Sequence, residues 1–529
     1  MSAQRNPRGR RRGLAALSVA TGTLLVLGIG AAAVGDQAWR GGQRTLPVKA
    51  ATTRAGDTIV ACGPTLHRVG GGETTDQAYA PGAEAASSTV RAVALGDNAQ
   101  RLPGTLLLSK GRTVKTLSPV LPEEEASKTV TASGQGFSGT KGTVLPEQRI
   151  DDASWLSVQS LGGLRSPGAA TRTIDQGSGD LTGFALQACA APSNTTYLQG
   201  ASTTLGHSAV LIVTNPSRTA ASVSVDVRGS HGVASEGAVQ DFTLDPGDTK
   251  SINLGGTARD EAGLNVRVLS TGAPVAASVS QQILRGVTPG GIEVIQPSGQ
   301  PGQRQVIPGV RLQDPRASAA VGVSEDAGDE TPRVDVTDLS GQGTTADVVA
   351  LAADGTRHSL ASGLAIPADS VVGVPLDKLP AGDYTVVVTA QDTVMASAGM
   401  LRGSDVKKAR DIASLPAAEA LSTDQLVALP STGSASLQLA APEADATVTV
   451  TPVDAKGVSG PEKSVSVRAG HTVSVQAKEL GSPVALRISS TAGEAFASLV
   501  ATNGDSGLAA APVPQPQDAP ASARVILTP

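Results

Sequence analysis

Between residues 208 and 281 the chain alternates so regularly that antiparallel sheet is the structure it can adopt. Val223, Val225 and Val227 alternate with Ser224 and Asp226, and Leu264, Val266 and Val268 with Asn265 and Arg267. This is the period of a strand with one buried and one wet face. The runs 208–216, 221–227, 242–247 and 264–278 follow one another with turn residues such as Asn215-Pro216 and Pro246-Gly247 behind them.

The block recurs twice downstream. Leu244-Asp-Pro-Gly247 lies over Ala365-Ile-Pro-Ala368 and Val467-Arg-Ala-Gly470, each a turn before a further strand. Val275-Ala-Ala-Ser278 lies over Val394-Met-Ala-Ser397 and Ala495-Phe-Ala-Ser498, and each copy closes on a proline-ended strand, at Pro308, Pro416 and Pro529. A period of about 110 residues is that of an immunoglobulin-like sandwich rather than a short solenoid repeat. Units are expected at 193–310, 311–416 and 417–529, behind a less regular first β domain at 58–192. One short helix is expected, at 417–426. The fold class is all-β, with an N-terminal transmembrane helix followed by tandem immunoglobulin-like β-sandwich domains.

Residues 1–13 hold Arg5, Arg8, Arg10, Arg11 and Arg12 and no acid, and 14–34 is an uncharged run. A helix of that length covers roughly 30 Å, the hydrocarbon thickness, and the arginines hold its start in the cytoplasm. The expectation is a basic cytoplasmic tail, a single-pass anchor at 14–34, a linker at 35–57 and a C-terminal bulk outside the cell membrane. Ala31-Ala32-Ala33 also offers a signal-peptidase site, so secretion after cleavage is the alternative.

Aromatics are 2% of the chain, so Val, Leu, Ile and Ala must fill the cores. With a net charge of −5 and scattered basic residues beyond the tail, there is no electrostatic footprint for nucleic acid.

Little in the sequence carries chemistry. Cys62 and Cys189, the only cysteines, bracket the first β domain of an exported chain and read as a disulfide; two buried free thiols are the other reading. His67, His207, His231, His358 and His471 are scattered and read as surface or turn residues. No metal or cofactor is expected. Gly206-His-Ser-Ala-Val210 lacks the strand-turn-helix setting that would activate Ser208. Glu123-Glu-Glu125 reads as a solvated loop, and 324–332 as an exposed acidic linker without calcium-loop spacing. Leu429-Pro-Ser-Thr-Gly433 resembles a sortase recognition pentapeptide but lacks a closing hydrophobic run and reads as a turn. Trp155 and Tyr197 are the best candidates for a binding surface, with core packing the plainer role for each.

The run Ala188-Cys189-Ala-Ala-Pro192, Tyr197-Leu-Gln-Gly200, Leu211-Ile-Val-Thr-Asn-Pro216 and Pro274-Val-Ala-Ala277, with Cys62-Gly-Pro64 upstream, resembles an actinobacterial family of membrane-anchored or secreted proteins of unknown function, often labelled large secreted proteins. The resemblance covers 58–310 and transfers no catalytic residue. It implies an exported envelope protein, accessory to envelope glycan assembly. The functional expectation is a non-catalytic scaffold or binding module at the cell envelope, with envelope proteins or cell-wall polymers as partners. A cell-wall hydrolase or transferase is the alternative.

Overall fold

The computed structural model describes residues 55–517, apart from 69–84, 130–137, 235–238, 240, 323–329, 406–407, 409 and 423. The tail, the 14–34 segment, most of the 35–57 linker and the strand expected to close at Pro529 lie outside the described residues. Among the described residues no helix is long and apolar enough to cross a membrane.

The alternating segments form strands that fall into four successive modules. The first holds β1 (Thr58–Cys62), β2 (Ser88–Leu95), β3 (Thr105–Ser109), β4 (Arg112–Ser118), β5 (Gly142–Arg149), β6 (Ser154–Val158), β7 (Gly168–Gln176) and β8 (Gly183–Ala188). The second holds β9 (Thr195–Ala201), β10 (His207–Thr214), β11 (Ala221–Gly229), β12 (Gly232–Val233), β13 (Phe242–Leu244), β14 (Thr249–Asn253), β15 (Leu264–Thr271), β16 (Ala276–Arg285) and β17 (Thr288–Ile295). The third holds β18 (Gly302–Leu312), β19 (Arg333–Asp338), β20 (Thr344–Ala352), β21 (Arg357–Ile366), β22 (Val371–Pro375), β23 (Gly382–Arg402) and β24 (Asp411–Pro416). The fourth holds β25 (Gln425–Ala428), β26 (Ser434–Ala441), β27 (Ala446–Val453), β28 (Lys463–Val467), β29 (His471–Gln476), β30 (Ala485–Ala492), β31 (Phe496–Asn503) and β32 (Gly507–Pro512).

One pairing order recurs. Lettering the strands a to h along each module, an outer sheet runs a-f-c-d and an inner sheet e-b-g-h. These are β1-β6-β3-β4 over β5-β2-β7-β8 in the first module and β25-β30-β27-β28 over β29-β26-β31-β32 in the fourth. The second module has β9-β15-β11, with β12 and β13 both on β11, over β14-β10-β16-β17. In the third, strands f and g are fused into β23, which pairs mainly through its first half with β18 and β20 and through its second with β19 and β24. Apolar side chains of both sheets close each core, as Val223 and Val266 do with Leu211 and Val279 in the second module. An immunoglobulin domain pairs its first two strands in one sheet; here strands a and b lie in opposite sheets, so these are two-sheet sandwiches of another order.

The two best-matched anchors of the sequence repeat fall at equivalent places: the turns at 244–247, 365–368 and 467–470 each join strands d and e, and the Ser278, Ser397 and Ser498 segments each open strand g. The third anchor was out of step. Pro308 lies inside β18, strand a of the third module, so the boundary expected at 310 cuts a strand that pairs along β23. The expected 417–426 helix is instead extended. Ala417 N–H donates to Ala396 O, Ala418 N–H to Val306 O and Leu421 N–H to Ala495 O, so backbone pairing with neighbouring strands overrides the local Ala/Glu preference. Among the described residues the α-helices are a single turn, α1 (Glu123–Ala126), and α2 (Pro315–Gly322). Asp314 and Pro315 are the start signal for α2, with Asp314 Oδ1 accepting from Arg316 N–H at 2.9 Å and proline at the first helical position.

The modules close into a ring rather than a string. Strand h of each packs against strand h of the two neighbouring modules: β8 on β17 and β32, β24 on β17 and β32. Strand a of one module lies on the inner sheet of the next: β9 on β23 and β24, β18 on β26 and β31, and β25 on β2 and β7. The seams are narrow because the meeting residues are small. A Cβ on Gly309 (φ +89°) would stand 2.6 Å from Ser498 Oγ, and one on Gly200 (φ +102°) 2.8 Å from Ser397 Oγ. Ser498 Oγ donates to Pro308 O at 2.6 Å, and Thr171 Oγ1 to Ala428 O at 2.6 Å at the closing seam. The repeated serine is therefore a seam residue. The pentapeptide 429–433 lies at that closing seam: Arg91 donates to Leu429 O and Pro430 O, and Ser431 N–H to Thr173 Oγ1.

Candidate functional site

The four h strands surround an axis that carries polar groups. Asp411, at the start of β24, is 1% exposed. Its Oδ2 accepts from Phe184 N–H at 2.6 Å and Leu508 N–H at 3.2 Å, and its Oδ1 from Ile292 N–H and Ile412 N–H at 3.1 Å each. One donor comes from each module. Burial pushes the Asp411 carboxyl well above the ordinary aspartate range, and the four N–H donors pull against that. Glu293 of β17 lies next along the axis, accepting from Ser414 N–H and Val294 N–H. Burial first, and the charge of Asp411 second, hold its carboxyl well above the usual range. The two titrate as a pair. Four N–H donors favour the ionised form of Asp411 and two that of Glu293, while burial opposes both.

At the other end of these strands Gln296 ties three together: its Oε1 accepts from Ala188 N–H at 2.8 Å, and its Nε2 donates to Leu186 O and Ala510 O at 3.1 Å. Above it opens an axial cleft of about 200 Å³ to which all four modules contribute. Ala61, Ala188, Ile212, Pro297 and Pro512 form much of its apolar wall, and Gln187, Ser278, Ser298, Gln300 and Gln515 its polar part. Glu419 is the one charged side chain among the described residues that line it, with Oε1 accepting from Gln300 N–H at 3.0 Å. Gln187 is 4% exposed, and its Oε1, like Ser298 Oγ, has no hydrogen-bond partner among the described residues.

A smaller cavity of about 80 Å³ lies between the second and third modules, lined by His207, Glu293, Glu330, Arg333 and Asp335 among others. Glu330 pairs with Arg410, which is fully buried; burial pushes that guanidinium down to about 10 against the pull of Glu330. His207 Nε2 is 3.7 Å from Glu330 Oε1 and its side chain is 6% exposed. Two expectations change here. His207 is not a surface histidine, because strand b is buried on both faces. Glu330, placed by the sequence in an exposed linker, is held inside by Arg410; residues 323–329 of that stretch lie outside the described residues. Among the described residues no group of three or more His, Cys, Asp or Glu is arranged to hold a metal ion.

Cys62, at the end of β1, and Cys189, just after β8, are joined with Cα atoms 4.6 Å apart. Their bond ties an outer strand to the end of an inner one, directly behind the cleft wall formed by Ala61, Gly63, Ala188 and Ala190. The two aromatic candidates separate. Trp155, on β6, is 4% exposed and so cannot serve as an open stacking platform. Tyr197, on β9, belongs to the cleft lining. The sequence reading missed Asp411, Glu293, Gln296 and Gln187. The available signal was a polar residue within otherwise apolar strands that end in proline, as in Ile292-Glu-Val-Ile-Gln-Pro297.

Residues 144–478, more than half of the chain, match the model of a family of unknown function, DUF5719. The chain belongs to that family. No curated protein and no solved structure matches it. The DUF5719 match begins in β5 and ends beside β30, so it takes in the second and third modules whole and cuts through the first and fourth.

Proposed function

We propose that this DUF5719 protein is a non-catalytic, extracytoplasmic scaffold or binding module of an actinobacterial cell envelope, anchored through 14–34 or secreted after its cleavage. The observation that carries this reading is how the axial polar groups are used. Asp411 and Gln296 are committed to backbone partners from different modules, and the cleft beyond them is lined by amides, hydroxyls and small apolar groups with one carboxylate. Such a lining recognises; among the described residues no hydrogen bond joins its hydroxyls to Glu419 in the nucleophile, base and orienting-group array that acyl or glycosyl transfer requires. The disulfide supports an oxidising compartment. Envelope proteins or cell-wall polymers fit as partners, with the membrane reached through the N-terminal segment.

One observation favours an envelope hydrolase or transferase as the second reading: Glu293, raised as a general acid must be, faces the small cavity with His207 and Glu330. Both readings are tested by immobilising the full-length chain, passing solubilised membranes and cell-wall fragments over it, and assaying retention and glycan turnover together. Specific retention without turnover is expected. Turnover abolished by Glu293→Gln would establish the enzyme instead.

A further inference from the structure

We propose that the axial cleft binds a single uncharged pyranose ring, the terminal unit of a glycan; this rests on the binding-module reading above and names its ligand class. The chemistry of the wall excludes the other classes in turn. Among the described residues no Lys or Arg lines the cleft and Glu419 does, so an anion meets no countercharge there. A cation would find one carboxylate, already accepting from Gln300 N–H. A wholly apolar ligand would offer nothing to Gln187 Oε1 and Ser298 Oγ, which lie in the wall with almost no accessible surface and no partner among the described residues.

A peptide added as a strand needs a free row of N–H and C=O groups. Around the cleft those edges are taken, Ala61 bridging Ala190, Ser193 bridging Val275 and Leu198 bridging Pro297. Pro297, Pro512 and Pro514 offer no N–H. A neutral ring with hydroxyls at its rim and C–H groups on its face matches what remains. Once turned into the cleft, Gln187 Oε1 can accept from its hydroxyls and Ser298 Oγ exchange with them, while its apolar face lies on alanine and proline. The size is compatible: about 200 Å³ is many times the minimum that holds one water and admits a ring.

The test uses the full-length chain purified in a detergent without a sugar headgroup. Saturation-transfer NMR is recorded with methyl α-glucopyranoside, α-mannopyranoside and α-galactopyranoside, with glucuronate and a proline-rich peptide as comparators. At least one neutral pyranoside should bind, and Gln187→Leu should weaken it by roughly ten-fold. Because Gln187 is buried, a second variant, Gln300→Trp, places a bulky side chain at the exposed mouth and should abolish binding while leaving the melting temperature unchanged. Absence of transfer from all three pyranosides, transfer unaffected by both variants, or preference for glucuronate or the peptide overturns the proposal. An envelope protein still retained by a chain that binds no pyranoside would leave the scaffold reading standing alone.

Discussion

The inner and outer sheets of this ring share one topology and differ in what their strands touch. An outer strand such as β28 has the burial of a half-wet strand, Val465 and Val467 inward and Lys463, Ser464 and Ser466 exposed. An inner strand such as β31 is buried on both faces for six residues, Phe496 to Ala501, and β32 is buried from Gly507 to Ala511. The residues change with the burial. Outer sheets keep the valine and threonine alternation, while inner faces that meet another module carry Ala509, Ala510, Ala511 and Ser498, and the outer strand that meets Ser498 does so at Gly309. Small side chains let strands of adjacent modules approach closely. This is where the alanine and glycine of a chain poor in aromatics are used.

The contrast is broken most severely at the axis. Asp411→Ala leaves four buried N–H groups from four modules without their acceptor. At roughly 1–3 kcal/mol for each buried group left unpaired, the loss is several kcal/mol, and the ring should open or melt far below the parent. The outer-sheet pair Asp226 and Arg267, about a third exposed, is the matched control. Asp226→Ala should cost no more than about 1 kcal/mol, and equal melting temperatures for the two variants would refute the axial role of Asp411.

Next in size is the disulfide, which links an outer to an inner strand across a separation of 127 residues. Loop closure on that scale is worth about 4–5 kcal/mol in the chain-entropy model. Cys62→Ala with Cys189→Ala should lower the denaturation midpoint accordingly. An unchanged midpoint would mean that ring closure already constrains the first module. A seam substitution comes third. Gly309→Val forces a Cβ against Ser498 and Gln438 at a positive φ, for an expected cost of about 3 kcal/mol. Val465→Ala, in outer strand β28 and 9% exposed, should cost about half as much. The seam is tighter than the core only if the first loss, read by chemical denaturation, exceeds the second.

The same contrast explains what the sequence showed and concealed. Alternation marks Val223 to Val227 and Leu264 to Val268 because they lie in outer strands with one wet face. In β16, β31 and β32 both faces are buried, period 2 disappears, and the runs read as apolar or merely small. The shared topology of the first module stayed hidden because its spacings differ. Gly200 and Gly309 gave no sign of facing Ser397 and Ser498, since a contact between modules leaves no period within either. For the same reason nothing in the sequence singled out Asp411, and Leu429 to Gly433 read as a turn with no hint of the seam it closes. The paired cysteines were legible because no other cysteine competes.

The smallest effect expected is a pH dependence of stability carried by Glu293. Its carboxyl is held well above the usual range by burial and by Asp411, so the folded ring retains a proton that the unfolded chain releases at about pH 4.3. Wherever the folded state binds more protons, stability falls as pH rises. The fall begins at the ordinary glutamate value, proceeds at up to about 1.4 kcal/mol per pH unit and ends when the folded carboxyl ionises. Arg410, lowered to about 10, stays charged throughout that window and adds no slope. Glu330, Asp335 and His207 face the same cavity and are held constant in the comparison. Glu293→Gln keeps the shape and the acceptor for one N–H but cannot ionise, so its stability between pH 5 and 8 should be flatter than the parent's and should overtake it at the alkaline end. An exchange in the exposed segment before β28, Glu462→Gln, should leave the slope of the parent profile unchanged. Parallel profiles for the parent and Glu293→Gln, measured by urea unfolding at each pH, would mean that Glu293 is not the group that carries the pH dependence.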